Sequence, residues 1–437
     1  MASRVGQLWG ILLAVALSLI AGVAQAEMVI RITEGADKRL PLAVVPFGGP
    51  EARDPPENLA GIIRENLTMS GDFELLEPSR MLSLPTSGDD IHFRDWRMLG
   101  QQFVLVGEVD FMPDRNRYIL SYELFDVSQQ KRILGSRASA APSELRTLAH
   151  HVSDRIYSTI TGIPGIFSTR LAFVSRTRED GDTIYRLKVS DFDGRRDQVL
   201  LRSAEPILSP DWSPDRRELV YVSFESGRPA LYRQVISSGK RQRLTEFEGL
   251  NSAPDWSPDG RSLLATLSKD GSAEIYRLPL DSLSPERLTR HWSINTEADW
   301  SPSGERFAFT SDRSGNPQIY IQDLDGGSPE RVTFEGKYNA RPQFGPEGEK
   351  IYFIHRREER FYLGSVDLEN GDERVFAGSE IDEAPATAPN GRLVLYVTQA
   401  RGERDALELT TVGGTARFTL PVRHPGIRDP AWSPLKE

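Results

Sequence analysis

The pentapeptide DWSPD occupies Asp211–Asp215, recurs unchanged at Asp255–Asp259, and returns as DWSPS at Asp299–Ser303. The tryptophans Trp212, Trp256 and Trp300 stand 44 residues apart. A fixed period of this length restricts the chain to architectures that stack one supersecondary unit many times. The unit can be read from the copy that begins at Pro254. PDW ends one strand and SPDG is a tight turn; SLLATLS, EIYRLPL and ERLTR supply three more strands, with KDGSA as a further turn. A four-stranded unit of about 40–45 residues, repeated, is the signature of a β-propeller blade.

Each motif residue has a physical task. Pro214, Pro258 and Pro302 preset φ for the turn, and the following Asp and Gly close it. Trp212, Trp256 and Trp300 offer rings that pack between neighbouring sheets, each hiding ~150–250 Å². The pairs Ile184-Tyr185, Leu231-Tyr232, Ile275-Tyr276, Ile319-Tyr320 and Phe361-Tyr362 recur in the third strand as core residues. The full series of first-strand signals is Trp212, Trp256, Trp300, Phe344, Thr387 and Trp432. The last belongs to AWSPLKE, which has no strands after it, whereas RLAFVS from Arg170 begins as if a WSP turn preceded it. The C-terminal strand is therefore expected to complete the first repeat, giving a six-bladed ring with no raw sheet edge at its seam.

The region before the repeats has another character. Leu42–Pro46, Phe103–Val109 and Tyr118–Val127 read as strands. Leu59, Ile62, Ile63 and Leu67 share one helical face within Asn58–Met69, and Leu145, Leu148, Val152, Ile156 and Ile160 form a stripe within Ser143–Ile160. The fold expected is thus two-domain: an α/β domain over residues 27–162 carrying an N-terminal arm, a hinge over 163–168 from the Gly- and Pro-containing GIPGIF, and a propeller over 169–437. Residues 1–26 read as a signal peptide, with Arg4 before the apolar stretch Leu8–Ala24 and Ala24-Gln25-Ala26 as the site for cleavage after Ala26. The expectation is an exported, periplasmic protein. The sequence has no cysteine, so thiol catalysis, a disulfide framework and a lipid-anchoring cysteine are excluded. A formal net charge of −10 argues against a nucleic-acid grip. No second apolar run of membrane length follows, so no direct membrane insertion is expected.

Catalysis by a propeller requires motifs that carry the chemistry. A propeller peptidase of the prolyl oligopeptidase kind needs a hydrolase domain with G-x-S-x-G, which the sequence lacks. A propeller lyase acting on periplasmic sugars would gather residues such as His291, His355 and His424, which fall in three different loop contexts. His150 and His151 are adjacent on a helix and point apart. The reading is a non-enzymatic binding protein with no cofactor and no metal; the alternative is a propeller enzyme, lyase or peptidase-like, acting on periplasmic sugars or peptides.

Binding would fall on the loops that lead into the first strands and ring one mouth of the channel. Three residues before the Trp position stand Ser209, Ala253, Glu297, Arg341, Ala384 and Asp429; five before it stand Ile207, Asn251, Asn295, Asn339, Asp382 and Ile427. The repeated Asn and the mixed charge are read as dispensable to the core and suited to a polar protein-binding rim. The segment Glu27–Glu34, EMVIRITE, alternates in a β pattern; it suits an edge strand of the N-terminal domain or an arm that adds to a partner's sheet.

Taken in order, LAVVPF, GIPGIFSTRLAFVS, VSDFDG, VYVSFESGRPALY, TSDRSGNPQIY and the C-terminal PAWSP make the chain resemble the TolB family of periplasmic propeller proteins of the Tol–Pal system. The resemblance covers nearly the whole chain after residue 26. It implies an adaptor that binds the outer-membrane lipoprotein Pal on the propeller and TolA through the N-terminal part, and that supports outer-membrane integrity and cell division. It further implies capture by some colicins and contact with other outer-membrane proteins. Carried over by motif position, the Pal-facing residues are Leu250, Asn251, Ala253, Thr296 and Glu297; Asn295, Asn339, Arg341 and Asp382 extend the same rim. LNSAP departs from the family's more usual HNGAP, with Leu250 in place of a His. The TolA-binding arm would comprise Glu27, Met28, Val29, Ile30, Arg31, Ile32, Thr33 and Glu34.

Overall fold

A computed structural model describes residues 29–32, 39–49, 55–380, 385–398 and 405–436. The signal segment therefore lies outside the described residues. The N-terminal domain is a five-stranded sheet in the order Phe73–Leu75, Leu40–Val44, Phe103–Met112, Arg117–Asp126, Lys131–Ala140. The first three run parallel and the last two return antiparallel. Helix α1 (Leu59–Met69) starts where the Asn58 side chain accepts from the Gly61 N–H at 2.9 Å. A short helix α2 (Phe93–Met98) follows, and α3 (Leu145–Thr161) ends at Gly162, whose φ of 74° suits a residue without Cβ. The expected helices and the strands from 40, 103 and 117 are present; Phe73–Leu75, α2 and Lys131–Ala140 had no reading in the sequence.

The propeller has six sheets. The first joins Arg428–Trp432 to Arg170–Glu179, Asp182–Asp191 and Gln198–Ser203, so the C-terminal strand is the inner strand of the first blade. Blades two to five begin at Ile207, Asn251, Asn295 and Asn339, and the sixth runs from Ala386–Thr387 to Ala416–Arg423. The seam is held by Trp432, which is 8% exposed and donates its indole N–H to Thr169 Oγ1 at 2.7 Å.

The Asp of each DW pair has a task the sequence reading did not assign. The carboxylate of Asp211 accepts the backbone N–H of Trp256 at 2.8 Å, Asp255 that of Trp300 at 2.7 Å, and Asp299 that of Phe344 at 2.7 Å. Gln343 continues the series, accepting from Thr387 N–H at 2.5 Å. The inner strands of blades two to five are thus each tied to the next blade across a position where no sheet hydrogen bond runs.

The two domains share one apolar cluster. Ile156 and Tyr157 of α3 pack with Phe167, Phe173, Phe192 and Trp432. Phe192 sits at the tip of the DFDG turn of the first blade, is fully buried, and meets Phe167 and His150 edge-on at 5.3 and 5.6 Å. Burying such a ring contributes ~1.5–3 kcal/mol. Around it, Arg146 pairs with Asp193 at 2.8 Å and Arg196 with Asp191 at 2.6 Å. The connector is stiff because Asp154 of α3 accepts the N–H groups of Phe167 and Ser168 at 2.6 and 3.1 Å. Burial raises the carboxyl pKa of Asp154, against those hydrogen bonds.

Candidate partner-binding face

Every fully described inner strand is interrupted in the same way before its Trp or Phe. The register breaks between the fourth and first residues ahead of that ring, as between Leu208 and Asp211 or Thr296 and Asp299. The third residue ahead of it takes a left-handed backbone: Ser209 at φ 48°, Ala253 at 46°, Glu297 at 55°, Arg341 at 54° and Asp429 at 47°. None is glycine, and non-glycine residues in this region cost of order 1–3 kcal/mol each. The bulge diverts the strand so that these residues stand at the mouth instead of in the ladder. The blade before supports the bulge: Thr266 Oγ1 accepts from Glu297 N–H at 3.2 Å and Thr310 Oγ1 from Arg341 N–H at 3.0 Å.

The charges at the mouth are joined. Arg341 reaches Glu297 of the neighbouring blade at 2.9 Å and Asp429 of the first blade at 3.4 Å, spanning the opening past the sixth blade. Beneath them lie the tie residues Asp211, Asp255 and Asp299, each only partly open to the channel. Burial pushes the Asp211 carboxyl up to about 7. Burial, joined by repulsion from Asp299 and Asp211, holds Asp255 well above the usual carboxylate range; burial, with Asp211 adding, does the same for Asp299. Outside this charged ring stands an apolar rim: Trp292 is 82% exposed, Ile294 54% and Leu250 37%.

The asparagines require a correction. Asn251, Asn295 and Asn339 are fully buried and are not rim contacts. Asn251 Nδ2 donates to the carbonyls of Phe247 and Gly249 at 2.8 and 3.3 Å. Asn295 donates to Glu274 at 2.7 Å and accepts from Arg313 at 2.7 Å. Asn339 donates to Gln318 at 2.8 Å and faces His355 Nδ1 at 2.8 Å. An amide that satisfies loop carbonyls and buried side chains fixes the loop from inside, because an unpaired polar group there is costly. Ala253, Thr296, Glu297 and Arg341 are partly exposed at the mouth, with Leu250 beside them. Asp382 lies outside the described residues. Trp292 and Ile294 were missed, although an exposed-looking Trp in a loop with no WSP partner was visible in HWSIN.

Of the arm, Glu27, Met28, Thr33 and Glu34 lie outside the described residues. Val29, Ile30, Arg31 and Ile32 form a strand that pairs antiparallel with the outer strand of the sixth blade, Val29 opposite Thr419 and Ile32 opposite Ala416. The expectation of an edge strand of the N-terminal domain is therefore corrected: the strand extends a propeller sheet to five strands. The outer strand there is eight residues long, against three or two in blades two to four, so it offers a ladder long enough to take an added strand.

The histidines weighed as metal ligands stay in separate surroundings. His291 pairs with Ser293, His355 with Asn339, and His424 with Lys188. Among the described residues the one compact His/Asp group is His150, Asp191 and Asp193, at the domain junction. Both of its carboxylates already hold arginines. Its pairing across the domains is invisible in sequence, where His150 and Asp191 stand far apart.

Two family models match the chain: the TolB amino-terminal domain over residues 28–133 and the TolB beta propeller domain over residues 157–436. The Tol-Pal system protein TolB of Hahella chejuensis is 55% identical over 416 residues, covering 95% of this chain and 96% of that protein. Its namesake from Pseudomonas aeruginosa is 49% identical over 422 residues, covering 96% and 97%. The crystal structure of TolB from Acinetobacter baumannii superposes with a TM-score of 0.84 at 36% identity, covering 94% of this chain and all of that one. With both domain models matched in order and half the residues shared with full-length relatives, the chain belongs to the TolB family of Tol–Pal system proteins.

Proposed function

We propose that this Tol–Pal component is a non-enzymatic periplasmic adaptor that binds Pal at the propeller mouth and TolA through the N-terminal arm, in support of outer-membrane integrity and cell division. The observation that carries the reading is the row of non-glycine residues in left-handed backbone at the mouth. Ala253, Glu297 and Arg341 are turned out of the ladder at an energetic cost and stand partly exposed. The apolar Trp292, Ile294 and Leu250 beside this charged centre supply the aromatic and aliphatic anchors from which protein interfaces draw most of their energy. The arm's reading rests on its antiparallel backbone pairing over four residues at the outer edge of the sixth blade, the kind of pairing a partner's sheet edge can also offer.

The test is calorimetric titration of the mature protein with each partner. Glu297→Arg and Thr296→Arg are expected to weaken Pal by ~2 kcal/mol or more, roughly 30-fold in Kd, with the melting temperature unchanged. A protein lacking residues 27–34 is expected to lose TolA and still fold. If arm position and Pal binding are linked, the coupling is reciprocal and ~1–3 kcal/mol. Unchanged Pal affinity in both Arg variants would move the interface to another face. Full TolA affinity without the arm would leave the arm as an edge strand only.

A further inference from the structure

A pocket of about 380 Å³ opens at the seam between α3, the connector, the first two blades and the C-terminal tail. Arg170, Arg196, Arg216, Lys436 and His151 line it, with Asp191 as the one carboxylate. Arg196 is committed, donating to Asp191 at 2.6 Å and to Thr147 Oγ1 at 2.8 Å. Arg216 donates one N–H to the Ser168 carbonyl at 2.7 Å, and His151 Nδ1 pairs with Ser168 Oγ at 2.8 Å. Among the described residues, neither Arg170, Arg216 nor Lys436 forms an ion pair. Asp154 behind the wall is taken up by the connector's N–H groups. The cations thus outnumber the carboxylate by three in a chain whose net charge is −10. They also repel one another: burial first, and Arg170 second, lower the Arg216 pKa, and burial lowers that of His151, with Lys436 and Arg216 adding to the effect against Asp154.

The sequence repeat supplies an independent observation. The turn residue four places after each ring is Gly260, Gly304, Gly348 and Gly391 in blades three to six. Each of those glycines has φ near 70°. In the second blade the same position is Arg216, held at φ 63°, and in the first it is Lys436. A cation replaces the turn glycine in the second blade, which borders the pocket, while Lys436 falls at the same sequence position in the C-terminal tail, where no turn forms. A strained non-glycine residue kept at such a position points to a use for its side chain.

We propose that this pocket is an anion site that takes a phosphate group. An excess of three positive charges suits a dianion better than a monocarboxylate, and guanidinium groups match the oxygens of a tetrahedral oxyanion in a paired, directional way. Because the pocket is walled by both domains, an occupant would tie α3 and the connector to the seam of the ring. The proposal is independent of the Pal and TolA reading. Free inorganic phosphate and a phosphate monoester on a lipid headgroup present the same chemistry.

The experiment is thermal melting of the full mature protein at constant ionic strength in chloride, acetate or inorganic phosphate, with the ring proton of His151 followed by NMR. Phosphate is expected to raise the melting temperature saturably, as a ligand of the native state does, and to move the His151 titration upward. Acetate and chloride are expected to do neither. Arg170→Gln and Arg216→Gly are expected to abolish both effects. The second variant restores the residue used in four sister turns, so it tests the side chain without threatening the fold. Flotation with vesicles of phosphatidylcholine, with and without phosphatidic acid, separates the sources: binding only to the acidic vesicles assigns a lipid headgroup, and a phosphate effect without flotation assigns the free ion. The proposal is overturned by the lack of a saturable response to either form of phosphate, by an equal response to acetate, or by a response that persists in both variants.

Discussion

Trp256 and Trp432 occupy equivalent positions in the repeat and are equally buried, at 8% exposure. Their indole nitrogens differ. Trp432 donates to Thr169 Oγ1 at 2.7 Å, whereas the buried Nε1 of Trp256 meets no protein acceptor among the described residues. Trp→Phe removes the same ring atoms at both sites, so the loss of packing largely cancels in a comparison. What remains is the hydrogen-bond term. At Trp432 the change removes a bond worth ~0.5–1.5 kcal/mol, while at Trp256 it relieves an unpaired buried donor that costs ~1–3 kcal/mol. Trp432→Phe is therefore expected to be less stable than Trp256→Phe by about 2 kcal/mol or more. For a domain of this size that separates their melting temperatures by ~4–8 °C. The assay is differential scanning calorimetry of both variants beside the parent protein, supported by urea unfolding at one temperature. Equal destabilisation of the two would refute the reasoning, and with it the view that the seam's Trp is held by more than packing.

Three further outcomes are expected. Trp292→Ala and Ile294→Ser should each weaken the mouth's partner without lowering the melting temperature, since neither side chain is buried; an unchanged Kd in both would remove the apolar rim from the interface. Asn295→Leu should destabilise by ~1–3 kcal/mol, because the buried Glu274 carboxylate loses a donor and Arg313 an acceptor; a melting temperature equal to the parent's would return Asn295 to a rim role. Asp255 and Asp299 have carboxyl groups raised in the folded state. Such groups hold their protons in the native state at pH values where the unfolded chain has released them, so the native state is favoured at low pH and disfavoured as pH rises through the folded pKa. Asp299→Asn should accordingly raise the melting temperature more at pH 8 than at pH 5; a gain larger at pH 5 would reverse the sign.

The architecture was legible because its signal is repeated: six copies of a turn after an aromatic or Thr position fixed the blade count, and an orphan AWSP with a headless RLAFVS fixed the closure. Amphipathic stripes located α1 and α3 for the same reason. Phe73–Leu75 is too short to show a period, and the Arg, Ser and Gly of Lys131–Ala140 hide its alternation. The site was legible only in part. Position within the repeat picked out Ala253, Glu297 and Arg341, which the bulge leaves partly exposed, but polarity misled at Asn251, Asn295 and Asn339, which are buried. A polar residue that recurs at one repeat position serves the repeat first, and here it completes the inside of a loop. The junction of His150 with Asp191 and the docking of Val29–Ile32 on Ala416–Thr419 both depend on long-range placement, for which local sequence carries no mark.

The division of labour along each inner strand explains how this ring can carry a specific surface without endangering its fold. In blades three to five the residue five before the ring anchors the loop, the residue one before it ties the next blade, and the aromatic itself fills the space between sheets. These three face the protein's own interior or backbone rather than the mouth. The residues three and four before it, such as Glu297 and Thr296, are placed by the bulge yet contribute little to packing, so substitutions there act on the mouth and not on the ladder. The link between Arg341 and Glu297, both partly exposed, is weak, since ion pairs in such settings contribute ~0–1 kcal/mol, whereas Asp429 at its other partner position is buried. A partner that supplies its own acceptor to Arg341 can therefore displace the Glu297 carboxylate at small cost. The rigid part of each strand presents the mouth, and the part that costs little to rearrange is the part left facing out of it.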